Sequence, residues 1–293
     1  MRAALSITHE RHTARRGRLM LETMLRASGL PWLEARMLAE RALGQSAVQI
    51  ATHLREPVSA EESAGFTALA ARRHAGEPVA YILGERAFYG RVFKVTPDVL
   101  IPRPETELLC EAVLERLSGA MALTGASVLD LGTGSGAIAV TLACERPGLA
   151  VTAADLSPAA LAIARANAQR LCPHAAVRLI ESDWFGRIGA ARFDWIVSNP
   201  PYIAATDAHL RSGDLRSEPP AALRGGADGM DCLRAIAAQA STHLTPGGWL
   251  LFEHGFDQGG QVRQLLSGQR FDGVFTLRDL AGHERVSGGR WLA

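Results

Sequence analysis

The sequence predicts an α/β protein with a mostly parallel sheet, helices on both faces and a small helical bundle before it. Three observations lead to this prediction. Short amphipathic stretches fill the first part of the chain, a glycine between aromatic and β-branched residues comes next at 87–95, and strands alternate with helices from about residue 126. Such alternation is typical of parallel sheets with crossover helices. The 293 residues allow one large and one small unit.

The N-terminal stretches predict a bundle of short helices. Three of them have helical periodicity and end in a glycine or proline: residues 19–28, 33–43 and 47–54. A fourth helix begins after Ser59, which forms an S-x-x-E capping box with Glu62, and continues to His74. Short amphipathic helices that end so close to one another along the chain indicate a helical bundle. The pattern at 87–95 predicts a β-hairpin that links the bundle to the C-terminal part of the chain.

The remaining chain predicts a strand and helix alternation. The predicted strands are 127–131, 150–154, 176–180, 193–198, 249–252, 273–278 and 285–291. The predicted helices are one that ends at Glu145 and those at 158–171, 230–243 and 258–266. We therefore expect a helical domain at 1–84, a hairpin linker at 85–100 and an α/β domain at 101–293.

Composition and charge exclude several classes of protein. The chain is 47% hydrophobic, which excludes a wholly disordered protein, and no apolar stretch is long enough for a membrane span. A net charge of +1 argues against binding by phosphate neutralisation across the whole surface, although residues 1–100 carry 14 basic and 10 acidic groups. The four cysteines have no close pair in sequence, so we expect neither a metal site nor disulfides. Free cysteines of this kind suit a reducing compartment, and we therefore expect a cytoplasmic protein. The first thirty residues show no secretory signal.

A glycine loop at residues 132–136 joins the first predicted strand to its helix. Its glycines permit a sharp turn and the close approach of a ligand, which the first amides of the helix would face. The G-x-G-x-G spacing lacks the third position of the dinucleotide fingerprint. Asp155 ends the second strand, where a carboxylate can accept from both hydroxyls of a ribose. Together they predict an adenosine-type cofactor, NAD or S-adenosylmethionine; a plain turn and a helix N-cap are the structural alternatives.

The Asn-Pro-Pro-Tyr loop (residues 199–202) comes directly after the strand predicted at 193–198. Its prolines have no N–H and fix φ, so the loop presents carbonyl oxygens without competing donors. Asn199 adds a side-chain acceptor and Tyr202 a flat ring, a set that suits a planar NH₂ group. If the strand order resembles 3-2-1-4-5, this loop and the glycine loop are neighbours at the switch point of the sheet.

With these two loops the sequence resembles the class I S-adenosylmethionine methyltransferases that alkylate planar amino groups, and among them the bacterial release-factor glutamine methyltransferases. The resemblance covers nearly the whole chain. Its further motifs are G-E-P-V-A-Y-I-L-G at 76–84, F-Y-G at 88–90, L-I-P-R-P-E-T-E at 100–107, S-D-W-F at 182–185, E-P at 218–219, A-L at 222–223, G-A-D-G at 226–229 and E-H-G at 253–255. The stretch at 100–107 together with Asn-Pro-Pro-Tyr is specific to this family. Asn-Pro-Pro-Tyr alone also fits enzymes that methylate the amino group of adenine in DNA or of guanine in RNA.

The resemblance implies a seven-stranded class I methyltransferase fold and a defined reaction. The reaction is methylation of the glutamine side-chain amide nitrogen (N5) in the Gly-Gly-Gln motif of peptide chain release factors. S-adenosylmethionine would be the donor and S-adenosylhomocysteine the product. By position, the cofactor would be bound by Gly132, Thr133, Gly134, Ser135, Gly136, Asp155, Asp183, Trp184 and Asn199. The catalytic residues would be Asn199, Pro200 and Tyr202, and the substrate would be bound by Asn199, Pro200, Pro201, Tyr202 and Phe88.

Three other functions remain as alternatives. A DNA or RNA base-amino methyltransferase would use the same loop on a flipped base, with weak support from the basic first hundred residues. An NAD-dependent oxidoreductase would give the Asn-Pro-Pro-Tyr loop no role, and an intact loop argues against a non-catalytic binding protein. We expect a monomer with no direct nucleic-acid or membrane partner. Glu105 and Thr106 are expected either near the cofactor or in a structural turn, and the Arg-rich first twenty residues have no assigned role.

Overall fold

The computed structural model describes residues 19–117 and 125–292. Nearly all of the Arg-rich first twenty residues therefore lie outside the described residues. The described chain divides into two compact units, which separate between Leu83 and Gly84. In these described ranges no helix is both long and apolar enough to cross a membrane.

The first unit is a bundle of short helices, as the sequence predicts. The helices are α1 Leu21–Ala27, α2 Trp32–Leu43, α3 Ala47–Thr52, α4 Ala60–His74 and α5 Val79–Leu83. The side chains of Leu38, Ile50 and Phe66 are buried at its centre. The predicted capping box is present, because the Ser59 amide donates to Glu62 Oε2 at 2.7 Å and the Glu62 amide donates to Ser59 Oγ at 3.1 Å. A cap of this kind stabilises a helix by about 1 kcal/mol.

A β-hairpin opens the second unit. It consists of β1 Glu85–Phe88 and β2 Arg91–Lys94, which pair antiparallel. Tyr89 and Gly90 both have positive φ, 48° and 68°, the backbone that a tight two-residue hairpin turn requires. The predicted hairpin is thus present, and it packs on the rest of this unit. The buried side chain of Asn167 accepts from the Lys94 amide at 2.8 Å and donates to the Lys94 carbonyl at 3.0 Å.

The second unit is a seven-stranded sheet with helices on both faces. Its strands are β3 Ser127–Leu131, β4 Ala150–Asp155, β5 Val177–Glu181, β6 Phe193–Ser198, β7 Leu244–Glu253, β8 Asp272–Arg278 and β9 Glu284–Arg290. The helices of this unit are α6 Glu107–Arg116, α7 Ala137–Glu145, α8 Pro158–Leu171, α9 Asp231–His243 and α10 Gly259–Gly268. The strand order is β5-β4-β3-β6-β7-β9-β8, in which β9 runs antiparallel to both of its neighbours. The prediction of a mostly parallel sheet is confirmed.

Alternate residues of the central strands enter two separate cores. Val128 and Trp195 pack with α6 and α7 on one face, whereas Leu129 and Ile196 pack with α9 and α10 on the other. This alternation is the two-residue period of a strand that is buried on both sides.

The order of the strands creates a switch point between β3 and β6. The chain leaves β3 toward β4 on one side and returns to β6 on the other, and Leu131 pairs with Ser198 where the two strands end. The glycine loop and the Asn-Pro-Pro-Tyr loop therefore leave the same edge of the sheet side by side, the position in which such sheets bind ligands.

Candidate active site

The glycine loop turns sharply between β3 and α7. Gly132, Gly134 and Gly136 have positive φ of 70°, 54° and 81°, which side chains with a Cβ rarely adopt. The Ala154 carbonyl accepts from the amides of Gly132 and Thr133 at 2.8 and 3.0 Å, which fixes the loop against β4. A methyl group on Gly136 would lie 3.2 Å from the Ala164 side chain, so the last glycine permits the close packing of α8.

A cavity of about 310 Å³ lies at the switch point of the sheet. We call it the switch-point cavity. Among the predicted site residues, its lining includes Gly132, Gly134, Asp155, Asp183, Trp184, Asn199 and Pro201. Tertiary structure thus brings together residues from the loops after β3, β4, β5 and β6.

Thr133 and Ser135 are buried within the glycine loop and do not line this cavity. The Thr133 hydroxyl donates to Asp130 Oδ2 at 2.6 Å, and the Ser135 carbonyl accepts from Asn167 at 2.8 Å. Burial raises the pKa of the Asp130 carboxyl to about 7, partly offset by the hydrogen bond from Thr133. Thr133 and Ser135 therefore fix the conformation of the glycine loop on the side away from the cavity.

Asp155 faces the cavity at the end of β4 and is held by backbone amides. Its Oδ2 accepts from the Gly134 amide and its Oδ1 from the Ser157 amide, both at 2.8 Å. The N-cap of α8 is Ser157, whose hydroxyl accepts from the Ala160 amide at 3.2 Å. The capping alternative thus belongs to Ser157, and the Asp155 carboxylate lines the cavity beside the glycine loop.

The Trp184 ring lies beside Gly132. A methyl group on Gly132 would lie 3.6 Å from Trp184 Cζ3, so the two residues are in van der Waals range. Trp184 has a positive φ of 45°, a conformation that costs about 1 kcal/mol for a residue other than glycine. The Ser182 hydroxyl supports this turn by donating to the Trp184 carbonyl at 2.8 Å and accepting from the Arg187 amide at 2.9 Å. The strained turn places the ring against the glycine loop.

In the Asn-Pro-Pro-Tyr loop, Asn199 and Pro201 line the cavity, whereas Pro200 and Tyr202 do not. The Asn199 side-chain Nδ2 donates to the Thr106 hydroxyl at 3.1 Å, and Thr106 is buried. The Tyr202 hydroxyl donates to Glu253 Oε1 at 3.2 Å, and its ring packs against the core under α9. Tyr202 therefore anchors the loop through its hydroxyl, and its contact with the substrate stays a prediction.

A backbone clamp (residues 223–229) holds the Asn-Pro-Pro-Tyr loop from outside. The Ile203 amide donates to the Leu223 carbonyl at 3.0 Å, and the Gly225 amide donates to the Ile203 carbonyl at 2.9 Å. A methyl group on Gly225 would lie 2.6 Å from the Pro201 carbonyl oxygen, which is too close for any side chain. Gly229, in the motif at 226–229 to which sequence reasoning assigned no role, is equally constrained, because a methyl group there would overlap the Tyr202 carbonyl oxygen.

Glu253 is a buried carboxyl behind the loop that sequence reasoning did not identify as a site residue. It ends β7 and is 1% exposed. Burial raises its pKa to about 7, while the hydroxyls of Thr106 and Tyr202 and the charge of Arg285 favour the ionised form. Among the described groups its Oε2 has no hydrogen-bond partner. The signals in the sequence were its position at the end of an apolar strand and the E-H-G motif at 253–255, to which no role was assigned.

Sequence reasoning assigned no role to a second set of residues that line the cavity. Residues 98–100 and Pro219, Ala221 and Ala222 line the cavity. They are tied together by buried Glu218, which accepts from the Ile101 amide at 2.9 Å and pairs with Arg103. The motifs at 100–107 and 218–219 thus meet at the cavity rim, although the sequence separates them by more than a hundred residues.

Phe88 requires a correction. It is 1% exposed and packs edge-on against Phe93, with ring centroids 5.9 Å apart, in the core under α6. Because the hairpin turns this side chain inward, it has no surface to offer a substrate. Glu105 lies at a different cavity, together with Glu107 and Glu111. Among the described residues, no group of three or more His, Cys, Asp or Glu side chains is arranged to hold a metal ion.

Comparison with known families matches both units. The family described as PrmC N-terminal domain matches residues 20–84, and the family described as methyltransferase small domain matches residues 105–214. Among solved structures, a methyltransferase from Pyrococcus furiosus is 21% identical with a TM-score of 0.51, over 76% of this chain and 97% of that one. A 16S rRNA N2 methyltransferase of T. thermophilus is 24% identical with a TM-score of 0.52, over 71% and 49%. These structures share the fold.

Curated relatives match over nearly the whole length. The release factor glutamine methyltransferase of Bordetella pertussis is 53% identical over 92% of this chain and 98% of that protein. Its counterparts in Burkholderia pseudomallei and Pseudomonas aeruginosa are 50% and 48% identical over 91% and 92% of this chain, and over 94% and 98% of their own lengths. The chain therefore belongs to the release factor glutamine methyltransferase family.

Proposed function

We propose that this protein transfers a methyl group from S-adenosylmethionine to the glutamine side-chain amide nitrogen (N5) in the Gly-Gly-Gln motif of peptide chain release factors. One observation supports the chemistry above all: Gly132 and Gly134 of the glycine loop and Asn199 of the Asn-Pro-Pro-Tyr loop line the same cavity. A nucleoside-type donor and a planar amide would meet there. The family supports the choice of a release factor as the substrate.

The residues of the cavity fit S-adenosylmethionine. Gly132 and Gly134, both with positive φ, leave room for the donor chain against bare backbone, and Asp155 offers a carboxylate for the ribose hydroxyls. Trp184 offers a ring face, and Asp183 a carboxylate, for the adenine. When bound, this cofactor supplies a methyl group made electrophilic by the positively charged sulfur next to it.

The chain's own contribution is to hold and orient the substrate amide. An amide nitrogen is a poor nucleophile because its lone pair is delocalised into the carbonyl group. Asn199 Oδ1 accepts one N–H of the substrate amide. The carbonyl of Pro200, which lies between the two cavity-lining residues Asn199 and Pro201, accepts the other, which favours a lone pair directed toward the methyl donor. Such preorganised hydrogen bonds and positioning supply most of the rate enhancement. The nitrogen becomes strongly acidic as it is alkylated, so its proton is lost without a dedicated base.

The remaining site residues have supporting roles in this proposal. Pro201 contacts the substrate at the cavity rim, while Tyr202 fixes the loop through Glu253. Thr133, Ser135 and Gly136 give the glycine loop its shape. The helical unit, which matches the PrmC N-terminal domain family, docks the protein substrate in this proposal. The enzyme acts as a monomer on protein and not on nucleic acid.

Labelled S-adenosylmethionine tests the proposal directly. The purified protein is incubated with separate pools of release factor, DNA and RNA. We expect label on the release factor alone, located by peptide mass spectrometry on the glutamine of the Gly-Gly-Gln motif. A release factor with that glutamine replaced by alanine is the control and takes no label. Label on DNA or RNA and none on protein would refute the proposal in favour of a base-amino methyltransferase.

A further inference from the structure

Thr106 holds one end of the Asn199 side chain. The Thr106 hydroxyl lies at the start of α6, is 4% exposed and accepts from Asn199 Nδ2 at 3.1 Å. A carboxamide has an acceptor oxygen and a donor nitrogen at its two ends. With the nitrogen bound to Thr106, Oδ1 is the end that remains for a ligand in the switch-point cavity.

Glu253 lies behind this pair. It is buried and accepts from the Tyr202 hydroxyl at 3.2 Å. A threonine hydroxyl has lone pairs, with which Thr106 accepts the Asn199 N–H. Thr106 thus holds the Asn199 end of the Asn-Pro-Pro-Tyr loop, and Glu253 holds the Tyr202 end.

We infer that Thr106 is a positioning residue for methyl transfer, which fixes the Asn199 amide with its oxygen toward the substrate. This inference rests on the proposed function of the same cavity. Both N–H groups of the substrate are donors, so an Asn199 side chain turned by 180° would direct a donor at a donor. The wrong orientation would be repulsive as well as unproductive.

Three substitutions separate this role from a structural one. Thr106→Val removes the hydroxyl and keeps the volume, whereas Thr106→Ser keeps the hydroxyl. Thr141→Val is the matched control, because Thr141 is fully buried in α7 and its hydroxyl has no hydrogen-bond partner among the described residues. Each variant is assayed for kcat, for KM of the release factor, for S-adenosylhomocysteine binding by calorimetry and for thermal unfolding.

We expect Thr106→Val to lower kcat by about 10- to 100-fold, somewhat less than the loss of a direct transition-state contact. Donor affinity and KM for the release factor should change less than about two-fold, since Thr106 touches neither molecule in this proposal. Thr106→Ser should recover most of the rate, and Thr141→Val should match the wild type. If Thr106→Val does not fold, Thr106→Ala removes the same hydroxyl and takes its place.

The outcomes separate this inference from the proposed function. Wild-type kcat in Thr106→Val, beside an active wild type, overturns the inference alone. A loss in Thr106→Ser as large as that in Thr106→Val also overturns it, because the hydroxyl would then not be the cause. Absence of methyl transfer to the release factor by the wild type would overturn the proposed function, and the inference with it.

Discussion

Ser198 donates a hydrogen bond of 2.7 Å to the carbonyl of Leu131, and so joins the ends of the two strands from which the glycine loop and the Asn-Pro-Pro-Tyr loop begin. Both residues are fully buried, so water does not compete for this bond. The distance between the cofactor side and the amide side of the cavity is thereby set by the rigid centre of the sheet.

Asn199→Ala should lower kcat by about 100- to 1,000-fold, because it removes an acceptor that acts on the substrate in the transition state. Binding of S-adenosylhomocysteine should weaken by much less, since other lining residues hold the cofactor. Single-turnover methyl transfer and calorimetry measure the two effects. Near-normal turnover in this variant would contradict the mechanism.

Asp155→Ala should weaken binding of S-adenosylhomocysteine by about 10- to 100-fold, the loss expected when a charged hydrogen-bond acceptor is removed. The amides of Gly134 and Ser157 would also lose their partner, which adds to the effect. Calorimetric titration measures the affinity. Asp272→Ala, at an exposed position at the start of β8, is the control, and equal affinities in the two variants would argue against a ribose contact.

Gly225→Ala should destabilise the protein by about 1–3 kcal/mol, because the new methyl group would overlap the Pro201 and Gly229 carbonyl oxygens. Since the Asn-Pro-Pro-Tyr loop must move to accommodate it, kcat should fall as well. Urea unfolding and the methyl-transfer assay measure both. Gly268→Ala, at the exposed end of α10 with nothing within 4 Å, is the matched control and should be neutral or slightly stabilising. A clamp without function would leave kcat unchanged in both variants.

Glu253→Gln should change how stability depends on pH. Burial raises the pKa of the Glu253 carboxyl from its ordinary value to about 7, against the favourable effects of Thr106, Tyr202 and Arg285 and with repulsion from Glu105. Between the two pKa values the folded protein keeps a proton that the unfolded chain has lost. The contribution of Glu253 to the free energy of unfolding therefore falls as pH rises through this window and is constant above it.

Urea unfolding at several pH values between about 4.5 and 8 measures this contribution. We subtract the free energy of unfolding of Glu253→Gln from that of the wild type at each pH. This difference should decrease toward neutral pH. Glu115→Gln, at an exposed position of α6, is the control for replacing a glutamate by glutamine. A flat difference for Glu253→Gln would show that its carboxyl titrates alike in both states.

Local patterns predicted most of the fold. The helix Pro158–Leu171 was predicted with its observed bounds because Ser157 and Pro158 are a strong N-terminal signal, and β3 and β6 because both are apolar runs. The start of β7 at Leu244 was missed, since the proline and two glycines at 246–248 resemble a turn. Helix α6 was also missed, because its buried cysteine and its glutamates gave no clear stripe.

The sequence by itself determined which groups the site contains: flexible glycines, a strand-terminal carboxylate and a loop of acceptors without competing donors. Only the tertiary structure decided how those groups are oriented and which residues support them. Asn199 and Thr106 are 93 residues apart, and Tyr202 and Glu253 are 51 apart, so no local period relates them. The side chains meet because the strand order brings the ends of β6 and β7 together beside the start of α6. Phe88, which the resemblance placed at the substrate, belongs to the core because the hairpin turns its side chain inward.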